Sequence, residues 1–191
     1  MEVHRSLFQN REVLYCRDLL DGEIGNHEMP DPYFVDRYNS LAEMPESLYK
    51  RITGLYTEKI IGLDIRKRFD KGAHLWCLRN DKEEIGYIWS LEGRTMKPYY
   101  FPLMPRDVYF LDGLIFPEYR GQGQFFYLLD HIVKYYRSLS FHRIYFKIQE
   151  WNSSSMKSVA KNGFVRIGIG KIRNRRGKSK VTWWLQDANE Q

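Results

Sequence analysis

The chain predicts an α/β fold of the α+β kind, one mixed sheet with helices on both faces. Three observations carry this. The hydrophobic spacing changes from helical to strand-like near residue 73, a strand–helix–strand–helix–strand order fills residues 107–172, and hairpins bracket that centre. A strand, a helix and a second strand in succession predict a parallel pair joined by a right-handed crossover. Hairpins predict antiparallel neighbours, so the sheet is mixed.

The first third, to residue 72, reads as loop and then helix. Residues 21–33 hold two glycines and two prolines and read as an irregular loop. Leu41, Met44, Leu48, Ile52, Leu55 and Tyr56 recur three or four apart, which predicts a helix over 40–56. Ile60, Ile61, Leu63, Ile65 and Phe69 predict a second over 57–69, with Gly54 and Gly62 leaving the boundary open. Residues 73–78 and 84–90 are β-rich and flank a polar turn, forming a hairpin. Residues 99–103, among three prolines, read as a short strand or a loop.

Residues 107–116 form a strongly apolar strand interrupted by Asp112 and Gly113. An interior glycine there marks a bulge or a close approach to the backbone. A turn over 117–123 opens a helix carrying Phe125, Leu128, Leu129, Ile132, Val133, Tyr136 and Leu139 on one stripe. Then come a strand over 143–148 and a short helix over 153–161. Asn162 and Gly163 stop that helix, and a closing hairpin over 164–172 and 180–185 follows.

The 191 residues suit one domain, and 43% hydrophobic with 28% charged residues excludes a disordered chain. The longest apolar run, 125–129, is far short of the roughly 20 residues of a membrane span. The charged N-terminus is no secretory signal, so a cytoplasmic protein without a membrane partner is expected. Cys16 and Cys77 define neither a disulfide framework nor a zinc cluster, and no metal is expected. His74, His131 and His142 lack ligand spacing, and Cys77 reads as a small buried hydrophobe. The net charge of +6 is local: Arg166, Lys171, Arg173, Arg175, Arg176, Lys178 and Lys180 occur within 166–180 with no acid among them.

The most informative segment is Tyr119-Arg120-Gly121-Gln122-Gly123-Gln124-Phe125, which leaves a strand and enters a helix. The first N–H groups of a helix lack partners and lie at the positive end of its dipole, so the segment reads as an anion site or as turn chemistry alone. No Lys-Ser/Thr follows, so it is not a P-loop.

Residues 107–164 resemble the GNAT superfamily of acetyl-CoA-dependent N-acetyltransferases. The first family signature, Arg/Gln-x-x-Gly-x-Gly/Ala, stands here as Arg120, Gly123 and Phe125. The second stands as Asn152 and Ser155, followed by Lys161, Gly163 and Phe164. The resemblance implies a mostly antiparallel sheet whose central parallel pair splays apart. It implies that the pantetheine arm of acetyl-CoA pairs with Gly113, Leu114 and Ile115, with Gly113 as the bulge. It further implies that Arg120, Gly121, Gln122, Gly123, Gln124 and Phe125 wrap the pyrophosphate, that Asn152 touches pantetheine and that Ser155 lies near the sulfur. On this reading residues 1–72 are a helical acceptor-site region, 106–164 the acyl-CoA core and 164–186 a basic hairpin.

Two positions depart from the pattern. Phe125 stands where Gly or Ala is usual, and its ring either crowds the phosphates or turns into the core. Val159 stands where many relatives place a proton-donating tyrosine, leaving Ser155 as proton donor or merely as a small packing residue.

The implied reaction is acetyl transfer from acetyl-CoA to a primary amine by direct attack. An alkyl ammonium, with a pKa of about 10.4, must lose a proton to attack. Asp112 reads as the base or as a carboxylate bonded to the bulge backbone. Glu150 is a second candidate or a solvated strand end, and Glu84 and Glu92 are weaker. Tyr99, Tyr100, Phe101, Trp76 and Trp89 read as core or as acceptor-pocket lining. The basic hairpin reads as a solvated loop or as a site for an anion such as acyl carrier protein. Two alternatives stand: transfer of longer acyl chains from that carrier protein, or a silent module binding CoA or nucleic acid. Nucleic acid is disfavoured because no aromatic platform accompanies the hairpin.

Overall fold

A computed structural model of the chain describes residues 11–20, 27–55, 58–93, 103–175 and 178–185. The strands are β1 (Arg11–Asp18), β2 (Phe34–Tyr38), β3 (His74–Arg79), β4 (Glu84–Glu92), β5 (Asp107–Ile115), β6 (Arg143–Gln149), β7 (Val165–Arg175) and β8 (Lys178–Leu185). The helices are α1 (Glu46–Gly54), α2 (Glu58–Asp70), α3 (Gln124–Ser138) and α4 (Ser153–Lys161), with a 3-10 turn at Pro117–Tyr119. One eight-stranded sheet runs β2-β3-β4-β5-β6-β1-β7-β8. The β5–β6 pair is parallel and every other pair is antiparallel.

The expected mixed sheet is therefore present, but the expected loop-then-helix character of residues 1–72 is corrected. That region contributes two strands, and β1 lies in the middle of the sheet between β6 and β7. A central strand is buried on both faces, so it shows no polar–apolar alternation. Val13, Leu14 and Tyr15 are buried in succession, and so are the charged Glu12 and Arg17. The helix expected over 40–56 begins only at Glu46. Pro45 explains this, because a proline disfavours helical backbone in the residue before it.

Each face of the sheet has its own core. Leu128, Leu129, Ile132, Val133 and Tyr136 of α3 and Val159 of α4 pack on Val108, Phe110, Ile144, Phe146 and Ile148. On the other face Leu48, Ile52 and Ile65 of α1 and α2 pack on Leu75, Tyr87, Trp89, Tyr109 and Tyr145. The helices thus hold β5 and β6 from both sides. The stop of α4 is as expected, with Gly163 at φ 71, and an Arg17 guanidinium N–H donates to the Asn162 carbonyl there.

Candidate active site

Parallel pairing of β5 with β6 runs from Asp107↔Arg143 to Phe110↔Phe146 and stops, although β5 continues to Ile115 and β6 to Gln149. The strands therefore part beyond Phe110, leaving the β5 edge facing β6 without a ladder partner. Phe116 donates its N–H to the Ile85 carbonyl on the β4 side. Alternate residues turn opposite ways, so Ile115 faces the parted edge, and its carbonyl accepts from Arg120 Nε at 3.0 Å.

The bulge is corrected by one residue. Ile88 pairs with Gly113 and Trp89 with Leu111, so the extra residue is Asp112, not Gly113. Gly113 has another reason to lack a side chain. A Cβ there would lie 2.7 Å from Ile88 Cγ1 and 2.9 Å from Ile88 Cβ. Asp112, expected inside an apolar strand, is exposed, and Arg68 of α2 reaches it at 3.1 Å. Arg68 also bonds Asp64 at 2.7 Å and lies over the Trp89 ring at 5.3 Å.

At the end of the parted strand, Gly121 and Gly123 each take φ 84, in the left-handed region that favours glycine. Gly123 caps α3 with no side-chain bond, and the first turn carries no acid. The leading N–H groups of α3 therefore keep their dipole unneutralised. A Cβ on Gly121 or Gly123 would meet nothing within 4 Å, so the space beside the loop backbone is open. Gln124 is buried and donates to Gln122 Oε1 at 2.8 Å, while its own Oε1 is buried without a partner among the described residues. Phe125 packs half-buried against the α3-side core, so its ring goes inward.

Asn152 Oδ1 accepts the Ser155 N–H at 3.1 Å and caps α4, placing Ser155 on the first turn, half-buried. Val159 is fully buried in the core. Glu150 is ion-paired with Arg11 Nε at 3.3 Å. Glu84 accepts from Ser47 Oγ at 2.6 Å. Glu92 lies 3.3 Å from His74 Nε2, whose hydrogen bond holds its carboxyl below the usual range. Trp76, Trp89 and Cys77 belong to the core. Tyr99, Tyr100 and Phe101 lie outside the described residues, as do the side chains of Arg173, Arg175, Arg176, Lys178 and Lys180.

Two groups escaped the sequence reading. Arg51 of α1 bonds Glu118 and the Glu84 carbonyl, and its guanidinium sits 4.1 Å over Phe116. It thereby braces the turn that precedes the glycine loop. Lys147, one residue past the last parallel pair, donates to Glu12 at 2.9 Å, and Gln149 donates to the same carboxylate at 2.9 Å. Glu12 belongs to the unread strand β1, so no sequence signal pointed to this cluster. Among the described residues no group of His, Cys, Asp and Glu could hold a metal ion, and no helix is long and apolar enough to cross a membrane.

Solved structures share this fold. A GNAT-family acetyltransferase from Colwellia psychrerythraea superposes with a TM-score of 0.60 at 11% identity, over 82% of this chain and 53% of that one. A GCN5-related N-acetyltransferase from Sphaerobacter thermophilus gives 0.58 at 12% identity, over 87% and 53%. A GNAT-family acetyltransferase from Novosphingobium aromaticivorans gives 0.56 at 13% identity, over 84% and 61%. The chain thus spans between half and two thirds of the length of these structures. No curated protein matches the sequence. The glycine loop, the parted strands and the capped α4 all fall within residues 33–164, and that segment, more than half of the chain, matches the profile of the acetyltransferase (GNAT) family, to which the chain belongs.

Proposed function

We propose that the chain transfers an acetyl group from acetyl-CoA to a primary amine. The observation that carries this reading is the parting of β5 from β6 directly before an open, uncapped glycine loop. The open β5 edge offers backbone groups of Gly113 and Ile115 to an amide-bearing arm, with Leu114 between them. The residues from Arg120 to Phe125 offer N–H groups to a pyrophosphate. Asn152, once its Oδ1 has capped α4, keeps its amide N–H groups for the arm.

Acetyl-CoA, when bound, supplies a thioester whose carbon accepts the amine and whose thiolate leaves. Asp112 takes a proton from the ammonium first, and the free amine then attacks the thioester carbon. A backbone N–H of the bulge donates to the carbonyl oxygen as it gains charge. As the carbon–sulfur bond breaks, Ser155 passes its proton to the sulfur and regains one from the attacking nitrogen, directly or through a water, so the products are an amide and a free thiol. Glu150, paired with Arg11 as Asp112 is with Arg68, stands second as base.

The test is release of thiol from acetyl-CoA with a panel of primary amines, followed with a chromogenic disulfide. The reading expects amine-dependent release that Asp112→Asn lowers by about 10²-fold, the lower range of general-base effects. Release with no amine that exceeds the uncatalysed rate would overturn it.

A further inference from the structure

The second half of α2 and the β4–β5 ladder line an open pocket of about 130 Å³. Its floor is Ala73, Leu91 and Leu111, all buried. Its wall carries Asp64, Lys67, Arg68 and Lys71, with Asp64 spent on Arg68. Arg68 is already engaged with Asp64 and Asp112. Lys67 and Lys71 are exposed, and neither forms an ion pair among the described residues.

These two lysines stand one helical turn apart at the C-terminal end of α2, Lys71 just past its last residue, where like charges repel. The end of α2 is nonetheless well fixed: Lys71 bonds back to the Lys67 carbonyl at 3.2 Å and Ala73 to the Arg68 carbonyl at 2.9 Å. Cations at a helix C-terminus also complement its dipole. Here, however, they overhang an apolar floor, and one floor residue, Leu111, immediately precedes Asp112 at the bulge. The cavity therefore opens beside the point where β5 leaves β6.

We propose that this cavity is the acceptor pocket, and that its acceptor is a short aliphatic primary amine bearing a carboxylate. The ammonium lies at Asp112, the methylenes lie on Ala73, Leu91 and Leu111, and the carboxylate meets Lys67 and Lys71. This assignment rests on the acetyl-transfer reading and narrows it. The volume limits the length. A cavity of about 150 Å³ just admits benzene, so this one holds about six heavy atoms, with the amine projecting out toward Asp112.

The experiment compares kcat/KM for 4-aminobutyrate, 4-aminobutyramide, 1-butylamine and 1,4-diaminobutane, with acetyl-CoA as donor. Wild type should prefer 4-aminobutyrate by about tenfold over the amide and 1-butylamine, the sum expected for two exposed ion pairs. Lys67→Glu with Lys71→Glu should abolish that preference and favour 1,4-diaminobutane, and the milder pair Lys67→Gln with Lys71→Gln should level it. Equal rates for the carboxylate and the amide in wild type, or a preference that survives both pairs, overturn the assignment. If acetyl-CoA raises the melting temperature but none of the four amines is acetylated, the pocket assignment falls and the cofactor reading stands. If acetyl-CoA leaves the melting temperature unmoved, both fall.

Discussion

Gly113→Ala puts a methyl group into the contact that shapes the parted strand. The new Cβ would lie 2.7, 2.9 and 3.0 Å from Cγ1, Cβ and Cδ1 of Ile88. Carbon pairs are most favourable at about 3.5–4.0 Å, so all three are in overlap. Ile88 is fully buried and cannot swing into solvent. A new rotamer could move Cγ1 and Cδ1 but not Cβ, so strand β4 or β5 must shift. Overpacking of this kind costs about 1–3 kcal/mol, and loss of glycine freedom in the unfolded chain returns about 0.4–1 kcal/mol. The net is about 1–2 kcal/mol, or a melting temperature lower by about 2–8 °C for a chain of this size.

Thermal and urea unfolding of Gly113→Ala, Ile88→Ala and the double variant form a cycle. Ile88→Ala alone should cost about 2–5 kcal/mol through its cavity. The double variant should be more stable than the sum of the singles by about 1 kcal/mol, because the new methyl enters space that Ile88 vacates. Strict additivity within about 0.5 kcal/mol would refute the contact as the reason for the glycine.

Three other outcomes follow from the same geometry. Asn152→Ala should lose the α4 cap and about 1 kcal/mol, whereas Asn152→Asp should keep that stability and still weaken acetyl-CoA binding; unfolding midpoints beside calorimetric affinities separate the two roles. Because the hydrogen bond from His74 depresses the Glu92 carboxyl, its contribution to stability is present above the unfolded carboxylate range and is lost as pH falls through the folded value. The gap in urea midpoint between pH 7 and pH 4 should therefore narrow in His74→Ala, and an unchanged gap would contradict the pairing. Burial pushes the Cys16 thiol up to about 12 and raises the fully buried Cys77 as well, so the native protein should react with a chromogenic disulfide at pH 8 at least about 100-fold more slowly than the unfolded chain. Two fast thiols in the native state would contradict that.

The centre of the fold was legible because its signals are local. The α3 stripe, the glycine turn and the Asn–Gly stop of α4 each lie within one short segment, and each element formed there. What was missed is held by distant partners. Strand β1 reads as four apolar residues between charges, and those charges are buried with distant partners: Lys147 and Gln149 reach Glu12, and the Asn162 carbonyl accepts from Arg17. Edge strand β2 carries Asp36 and Arg37 in its middle, matched by Arg79 and His74 of the neighbouring strand. The bulge fell one residue early because its position depends on register against Ile88 and Trp89, which the spacing within β5 does not encode. Asp112 was named from its place in an apolar strand, yet its partner Arg68 arrives from a helix that the sequence did not tie to it.

The central claim is that the loop from Arg120 to Phe125 binds the pyrophosphate of acetyl-CoA. Gly123→Ala and Gly123→Glu test it as a pair, since both force a Cβ into φ 84 and that Cβ meets no atom within 4 Å. Both carry the same left-handed strain, about 1–2 kcal/mol, and differ in charge. Calorimetric titration with acetyl-CoA should show binding by wild type and by Gly123→Ala, and an affinity at least tenfold weaker in Gly123→Glu than in Gly123→Ala. Equal affinities for the two variants, or no binding by wild type, would contradict the account.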